Sequence, residues 1–430
     1  MSEWEETELG RIGNVLSGGT PSTSVPEFWN GDILFVTPYD LSKLNSAFLY
    51  NTERKISKEG LYSSSANLLP AGSIIISSRA PIGYIAVGKF DFTTNQGCKS
   101  IIPNSDFNSL FLYYCLKFNV EKIKRLGAGS TFSEISKKDL EKIKFYHPKR
   151  IYEQRHIAQI LSTCDSVIEK TEAAIEKYKA IKQGMLQDLF TRGLDLKTGK
   201  LRPKYEEAPE LYKESRLGII PREWAIVKLG NIGEFKNGVN KNKASFGHGT
   251  LFVNIINAFV EILDCTSFNR VLITDKEKQD YGLTKGDIIF VRSSVKPEGV
   301  GYNTMFIQYA EEVVYCGFMI RFRLSDKSFY LPEFYNSYFR FREFRNRLIA
   351  SSTVSANTNI NQVALSNLLA IKPNIKEQLA MVERMKAINK KLLCEHNYLS
   401  KLQKIKQGLM SDLLSGRKRV KVKEEKLSIQ

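Results

Sequence analysis

No run of apolar residues in this chain approaches the roughly 18 to 20 needed to cross a bilayer, so a helical membrane span is excluded. The first six residues, Met1-Ser-Glu-Trp-Glu-Glu6, are acidic where a secretory signal is basic, and the chain is expected to stay in the cytoplasm. Cysteine is sparse: Cys98, Cys115, Cys164, Cys265, Cys316 and Cys394 never form a Cys-x-x-Cys pair. They read as reduced, mostly buried thiols rather than a disulfide framework. Only four histidines occur, His147, His156, His248 and His396, and they are isolated, so no metal site is expected. Catalytic signatures are missing as well. There is no Asn/Asp-Pro-Pro-Tyr/Phe tetrapeptide of the kind that amino-methyltransferases use. Gly193-Leu-Asp-Leu-Lys-Thr-Gly199-Lys200-Leu201 comes nearest to a phosphate loop, but it has one residue too many and lacks the Ser/Thr that holds magnesium. Scattered carboxylates such as Asp40, Asp287 and Glu298 form no constellation in the sequence.

What the chain has in excess is positive charge. Lys and Arg number 63 against 46 Asp and Glu, a net charge of +17 that favours a polyanionic partner and that a membrane surface would also accept. The 430 residues leave room for about two to four domains with proper cores.

It also has two copies of one pattern. The stretch from Ile151-Tyr-Glu-Gln154 to Ile181-Lys-Gln-Gly184 and Asp188 recurs without a gap, 224 residues on, from Ile375-Lys-Glu-Gln378 to Ile405-Lys-Gln-Gly408 and Asp412. Upstream, Glu3-Trp4, Leu9-Gly10, Ile12-Gly13 and Gly18 recur as Glu223-Trp224, Leu229-Gly230, Ile232-Gly233 and Gly238 at an offset of 220, and Ser130-Thr131 recurs as Ser352-Thr353 at 222. A period this long means that whole domains were duplicated. The segment that tolerates no length change predicts a long helix whose register matters; the segment that does predicts a loop-rich domain.

Within the first copy, Ile157, Leu161, Cys164, Ile168, Thr171, Ile175, Tyr178, Lys182, Met185 and Leu189 alternate steps of four and three, which is a heptad seam. The second copy gives Met381, Met385, Ile388, Leu392, Glu395, Leu399, Leu402, Lys406, Leu409 and Leu413, keeping a lysine at the same place. Forty residues of helix make a rod of roughly 60 Å. Gly193, Gly199, Pro203, Pro209, Gly218 and Pro221 end the first rod and mark a linker. Antiparallel pairing of the rods follows most simply, relating the halves by a pseudo-two-fold axis. The competing arrangement has each helix packed on its own domain alone.

The remaining segments read as mixed strand and loop. Gly72-Ser-Ile-Ile-Ile-Ser-Ser-Arg79 and Gly286-Asp-Ile-Ile-Phe-Val-Arg292 look like strands leaving into basic loops, followed by Gly83-Tyr84 and Gly301-Tyr302. An arginine can bond a guanine edge bidentately, Asn or Gln can bond adenine, and Ser, Thr and Lys can hold phosphates; an ordinary solvated hairpin is the competing reading. Phe111-Leu-Tyr-Tyr114 and Phe334 to Arg342 predict core helices, and Ser136-Lys-Lys-Asp139 a helix cap.

Taken together, Gly18-Gly-Thr-Pro-Ser22, Pro26-Glu-Phe-Trp-Asn-Gly-Asp32, Val36-Thr-Pro-Tyr-Asp-Leu41, Ser78-Arg-Ala-Pro-Ile-Gly83, Thr94-Asn-Gln-Gly97 and the two Ile-Lys-Gln-Gly helix ends resemble the specificity subunit of type I restriction-modification systems. The resemblance covers nearly the whole chain. The second domain departs from the first, with Asn237-Gly-Val-Asn-Lys241 in place of Gly18 to Ser22 and no Trp-Asn-Gly-Asp block. The resemblance implies an α+β fold of two target-recognition domains, 1–150 and 223–374, joined by antiparallel coiled-coil spacer helices, 151–192 and 375–415. A linker at 193–222 and a basic tail at 416–430, expected to be disordered, complete the division. It implies a non-catalytic reader of a bipartite DNA site, with the coiled coil setting the gap. The implied partners are double-stranded DNA, two methyltransferase subunits carrying S-adenosylmethionine and two restriction-translocase subunits, with no membrane and no cofactor on this chain. By position, the candidate DNA contacts are Thr20, Ser22, Thr37, Tyr39, Ser78, Arg79, Tyr84, Asn95 and Gln96 in the first domain, and Asn237, Asn240, Lys241, Arg292, Ser293, Ser294 and Lys296 in the second.

Two other classes fit less of the sequence. A stand-alone DNA adenine methyltransferase with atypical motifs would bind S-adenosylmethionine by itself, and a coiled-coil adaptor would leave no paired footprint on DNA.

Overall fold

The computed structural model describes residues 3–127, 134–354 and 357–420. The repeated Ser130-Thr131 and residues 421–430 of the expected tail lie outside the described residues. The chain divides into two compact units, 1–176 with 394–430, and 177–393, so each unit holds one globular domain, the start of one long helix and the end of the other.

In the first unit the edge strand Trp4–Glu8 pairs antiparallel with Lys144–Pro148, which runs directly into the first long helix. A five-stranded sheet follows in the order Gly13–Ser17, Cys98–Pro103, Ile74–Ser77, Ile85–Gly88, Phe48–Leu49, and a three-stranded sheet in the order Arg54–Ile56, Trp29–Val36, Phe92–Thr94. Ile74, Ile75, Ile76 and Ser77 are all buried, as befits a central strand covered on both faces. Helix Ser109–Phe118 carries Phe111 to Tyr114 into the core, and Ser136 caps Lys137–Glu141 by accepting from the Asp139 amide at 3.1 Å.

The second unit repeats the core of this plan, without the fifth strand of the larger sheet and with an added small sheet of Ser293–Ser294, Thr358–Asn359 and Thr353–Val354. Gly233–Asn237, Met319–Leu324, Ile288–Val291 and Asn303–Met305 form its four-stranded sheet, and Asn269–Val271, Phe246–Val253 and Val313–Tyr315 its three-stranded sheet. Even the irregularity recurs: Trp29 and Ile33 both face Ile56, and Phe246 and Thr250 both face Val271. The segment Phe246-Gly-His-Gly249 therefore fills the place of Trp29-Asn-Gly-Asp32, with Gly247 (φ 116°) supplying the left-handed turn that Asn30 (φ 61°) makes. The departure read from the sequence keeps the bulge and changes the residues that make it, with a second left-handed glycine, Gly249 (φ 99°), at the place of Asp32. Pro332–Tyr338 buries Phe334, Tyr335 and Tyr338, as expected of a core helix. The linker is more than a connection, since Tyr212–Ser215 and Gly218–Pro221 form a hairpin.

The long helices span Ile151–Thr191 and Ile375–Leu414. Their shared Glu-Gln pair explains why both starts are fixed. Glu153 accepts from the Trp4 indole at 3.1 Å and Glu377 from the Trp224 indole at 3.0 Å. Gln154 accepts from the Asn108 amide and Gln378 from the Leu331 amide, both at 2.9 Å. Both helices end where a glycine enters the left-handed region, Gly193 (φ 65°) and Gly416 (φ 70°).

Every position of the predicted seam is buried or half-buried, whereas the off-seam apolar residues Ile181, Leu393 and Ile405 are exposed. Within the first unit Ile157 and Leu161 share a core with Leu413 and Leu414, and the ammonium of Lys406 pairs with Asp165. Within the second, Leu189 and Phe190 share a core with Met381 and Met385, Lys391 lies 5.4 Å from the Tyr178 ring centre, and Leu186 and Met385 line one cavity. The helix pairing in each unit is thus antiparallel. Each domain packs against the start of its own helix and the end of the other, through residues that are equivalent in the repeat, so packing on one's own domain alone is not what is found. No helix among the described residues is long and apolar enough to cross a membrane.

Candidate nucleic-acid interface

In the first domain four loops converge at one end of the sheets, organised by the turn Asn95-Gln96-Gly97. Gly19 N donates to Thr94 O at 2.9 Å, Asn95 N to Val36 O at 3.0 Å, and Ser78 N to Gly97 O at 2.8 Å. A Cβ on Gly18 would lie 2.0 Å from Asn95 O, so the chain can pass here only as glycine. The Thr20 hydroxyl bonds the Gln96 side chain. Thr37 caps a short helix reciprocally with Asp40, presenting Tyr39, 56% exposed, beneath the Lys43 ammonium at 3.8 Å. Arg79 leaves the sheet and donates to Glu134 at 2.9 Å, and Lys99 reaches the same carboxylate at 3.2 Å. Burial acts to raise the Glu134 carboxyl, but the hydrogen bonds from Arg79 and Lys99 prevail and hold it below the usual range.

The geometry thus brings Thr20, Thr37, Tyr39, Arg79, Asn95 and Gln96 together. Ser22 is exposed on the first loop, its carbonyl accepting from the Trp29 indole at 3.0 Å. Tyr84 stands at the far base of the Ser78 loop, its amide held by the Ser77 hydroxyl at 2.9 Å. Ser78 differs from the rest: it is 1% exposed, so its backbone serves the loop while its hydroxyl does not reach the surface.

The second domain builds the same end from other residues. Val239 N donates to Tyr315 O at 3.0 Å, Cys316 N to Val253 O at 3.0 Å, and Arg292 N to Phe318 O at 2.8 Å, bond for bond the network of the first domain. Asn240 occupies the place of Thr20 and packs over Gly317, which replaces Gln96. Asn254 caps a turn reciprocally with Asn257, as Thr37 does with Asp40, and Ile256 stands where Tyr39 does. Asn237 ends its strand half-buried, and Lys241 is held by Glu277 at 2.8 Å. Hydrogen bonds, that from Lys241 foremost, lower the Glu277 carboxyl to about 2. Ser293, Ser294 and Lys296 follow Arg292 in a connection that is four residues longer than its counterpart, with Ser293–Ser294 a short strand paired to Thr358–Asn359: ten residues separate Val291 from Tyr302, and six separate Ser77 from Tyr84.

One pairing suggested by the sequence is corrected here. Ile76 faces Lys99 and Phe290 faces Ile320, so the matching registers put Arg292 at the position of Ser78 and Ser293 at that of Arg79. The two arginines that looked equivalent are one residue apart, and successive strand residues point to opposite faces. Asn254, Ile256 and Phe318 escaped the sequence reading because insertions shift the offset between the halves along the domain; the pairing registers are the signal that finds them.

The pattern of a type I restriction modification DNA specificity domain matches residues 1–177. The type I restriction enzyme MjaIX specificity subunit of Methanocaldococcus jannaschii is 34% identical over 240 residues, 55% of this chain and about half, 53%, of that relative. The MjaVIII specificity subunit of the same organism is 27% identical over 97% of this chain and 94% of its own length. Among solved structures, the type I restriction-modification S subunit from M. genitalium superposes with a TM-score of 0.56 at 15% identity, covering 96% of each chain. A chain from a structure describing complex assembly and conformational transition of the type I system gives 0.58 at 14% identity, covering 96% of this chain and 97% of that one. Sequence pattern, relatives and shared fold point the same way: residues 1–177 carry the pattern of a type I restriction modification DNA specificity domain, and the chain is similar along its length to type I restriction enzyme specificity subunits.

Proposed function

We propose that this chain is the non-catalytic subunit that tells a type I restriction-modification complex where to act. Each recognition domain binds one half of a bipartite, asymmetric DNA site. The paired helices hold the unread gap and dock two methyltransferase subunits, with two restriction-translocase subunits completing the complex in the cytoplasm. S-adenosylmethionine belongs to the methyltransferase partner, which needs its target adenine turned out of the duplex and therefore needs a separate element to place it.

One observation carries this reading: two domains that share a core strand order present different side chains at equivalent loop positions, Thr20 and Gln96 against Asn240 and Gly317. Matching core scaffolds with unlike loops suit two unlike half-sites, because base edges are told apart by donor, acceptor and methyl patterns. The excess of 17 positive charges supplies sequence-independent attraction to the phosphates. The test is footprinting of the complex assembled with its methyltransferase. The expected result is two protected patches at a fixed separation and no uptake of labelled S-adenosylmethionine by this chain alone. A single patch, or methyl transfer to DNA by the isolated chain, overturns the proposal.

A further inference from the structure

The two reading ends differ in chemistry in one consistent direction. Where the first domain has Gly97, the second has Phe318, 57% exposed; where the first has Tyr39, the second has Ile256, 78% exposed; and the longer loop adds Val295, 82% exposed. Phe318, Val295, Ile255 and Phe259 line a cleft of about 670 Å³ whose rim is Ser293, Ser294 and Lys296, with one carboxylate, Glu298, also on it. Large apolar side chains left open together among polar loops mark a contact surface. The occupant follows from position and charge. The cleft sits on the loops that correspond, hydrogen bond for hydrogen bond, to the polar loops of the first domain, and Arg292 and Lys296 beside it have no carboxylate partner among the described residues.

Resting on the proposed role as a DNA reader, we infer that the second domain recognises its half-site through thymine C5-methyl groups, which Phe318 and Val295 cover, whereas the first reads through hydrogen-bonding groups such as Gln96 and Arg79. In the major groove the methyl group is the one apolar feature that distinguishes a base pair, and phenylalanine is among the side chains that meet it. Ser293, Ser294 and Lys296 then hold the flanking phosphates.

Deoxyuridine tests this directly, since it pairs as thymine does and lacks only the methyl. Once the methylated site is mapped, duplexes carrying uracil in place of thymine in one half-site or the other are titrated with the complex of this chain and its methyltransferase. Uracil in one half-site should weaken binding about fourfold for each methyl removed, the scale of one buried CH₂-sized group, and uracil in the other half-site should change nothing. In Phe318→Ser with Val295→Ser that sensitivity should vanish. Both side chains are exposed on loops, so folding is not at stake, and the uracil arm uses the unaltered protein in any case. The inference fails if the mapped site has thymine in neither half, if uracil has no effect, or if the effect survives in the double variant. If no duplex is bound specifically at all, it is the role as a DNA reader that fails.

Discussion

Lys241 and Arg79 are both candidate DNA contacts, and both are already held by carboxylates of their own domain, Glu277 and Glu134. A held cation is aimed, but it offers less charge to a phosphate. Glu277→Gln should therefore tighten nonspecific DNA binding and steepen its dependence on salt by about one unit of log-log slope, read by titration at several salt concentrations; an unchanged slope would mean that Lys241 does not meet DNA. The pH dependence has a definite sign. The folded-state carboxyl lies at about 2, below its ordinary 4.5, so the pair is intact above the ordinary value and is lost only as pH falls toward 2. The Lys241 contribution should accordingly be flat between about pH 5 and pH 8. For Arg79→Ala, methylation of the cognate site should fall far more than nonspecific affinity; equal losses would make Arg79 a phosphate contact. A different residue tests the frame. Glu377 is fully buried and joins Arg202, Trp224 and the Leu194 amide, so Glu377→Gln should destabilise the second unit by about 3 kcal/mol or more, because it leaves a buried arginine undercompensated. Denaturant unfolding of the full chain measures it.

At the scale of elements, the helix seams were legible in the sequence and the reading loops were not. A heptad pattern constrains each helix position by its period, so Ile168 and Leu402 could be assigned to the seam, and Ile181 and Ile405 to the outer face, with no knowledge of what covers them. The Glu-Gln pairs at the two helix starts were visible as repeats, but their purpose required seeing the tryptophans they bond. Loop residues have no period. Arg79 and Arg292 were matched by the look of the sequence, and one residue of strand register separates them. Ser78 reads as polar and exposed, but it is buried under the turn that it supports. A stability prediction belongs here. Leu413→Ala should destabilise the first unit, and its repeat equivalent Leu189→Ala the second, each by about 2–5 kcal/mol for a buried leucine. Hydrogen exchange resolved along the chain should show protection lost in the first domain after the change at 413 and in the second after the change at 189. Ile405→Ala, on the exposed face, should do neither.

For the molecule as a whole, the account rests on duplication: one scaffold, copied, with each copy's helix end completing the core of the other copy's unit. A chain built this way can change what one domain reads without disturbing the other, because each domain carries its reading loops within its own unit. The most direct test is base-resolution mapping of methylated adenines in cells that carry the partner methyltransferase and either this chain or a version in which residues 237–241 and 292–296 are replaced by those of another specificity subunit. The account predicts a two-part motif with a fixed gap that depends on this chain, and in the altered version a change in one half of the motif with the other half and the gap retained. Methylation that ignores the presence of this chain, or a replacement that alters both halves together, would contradict it.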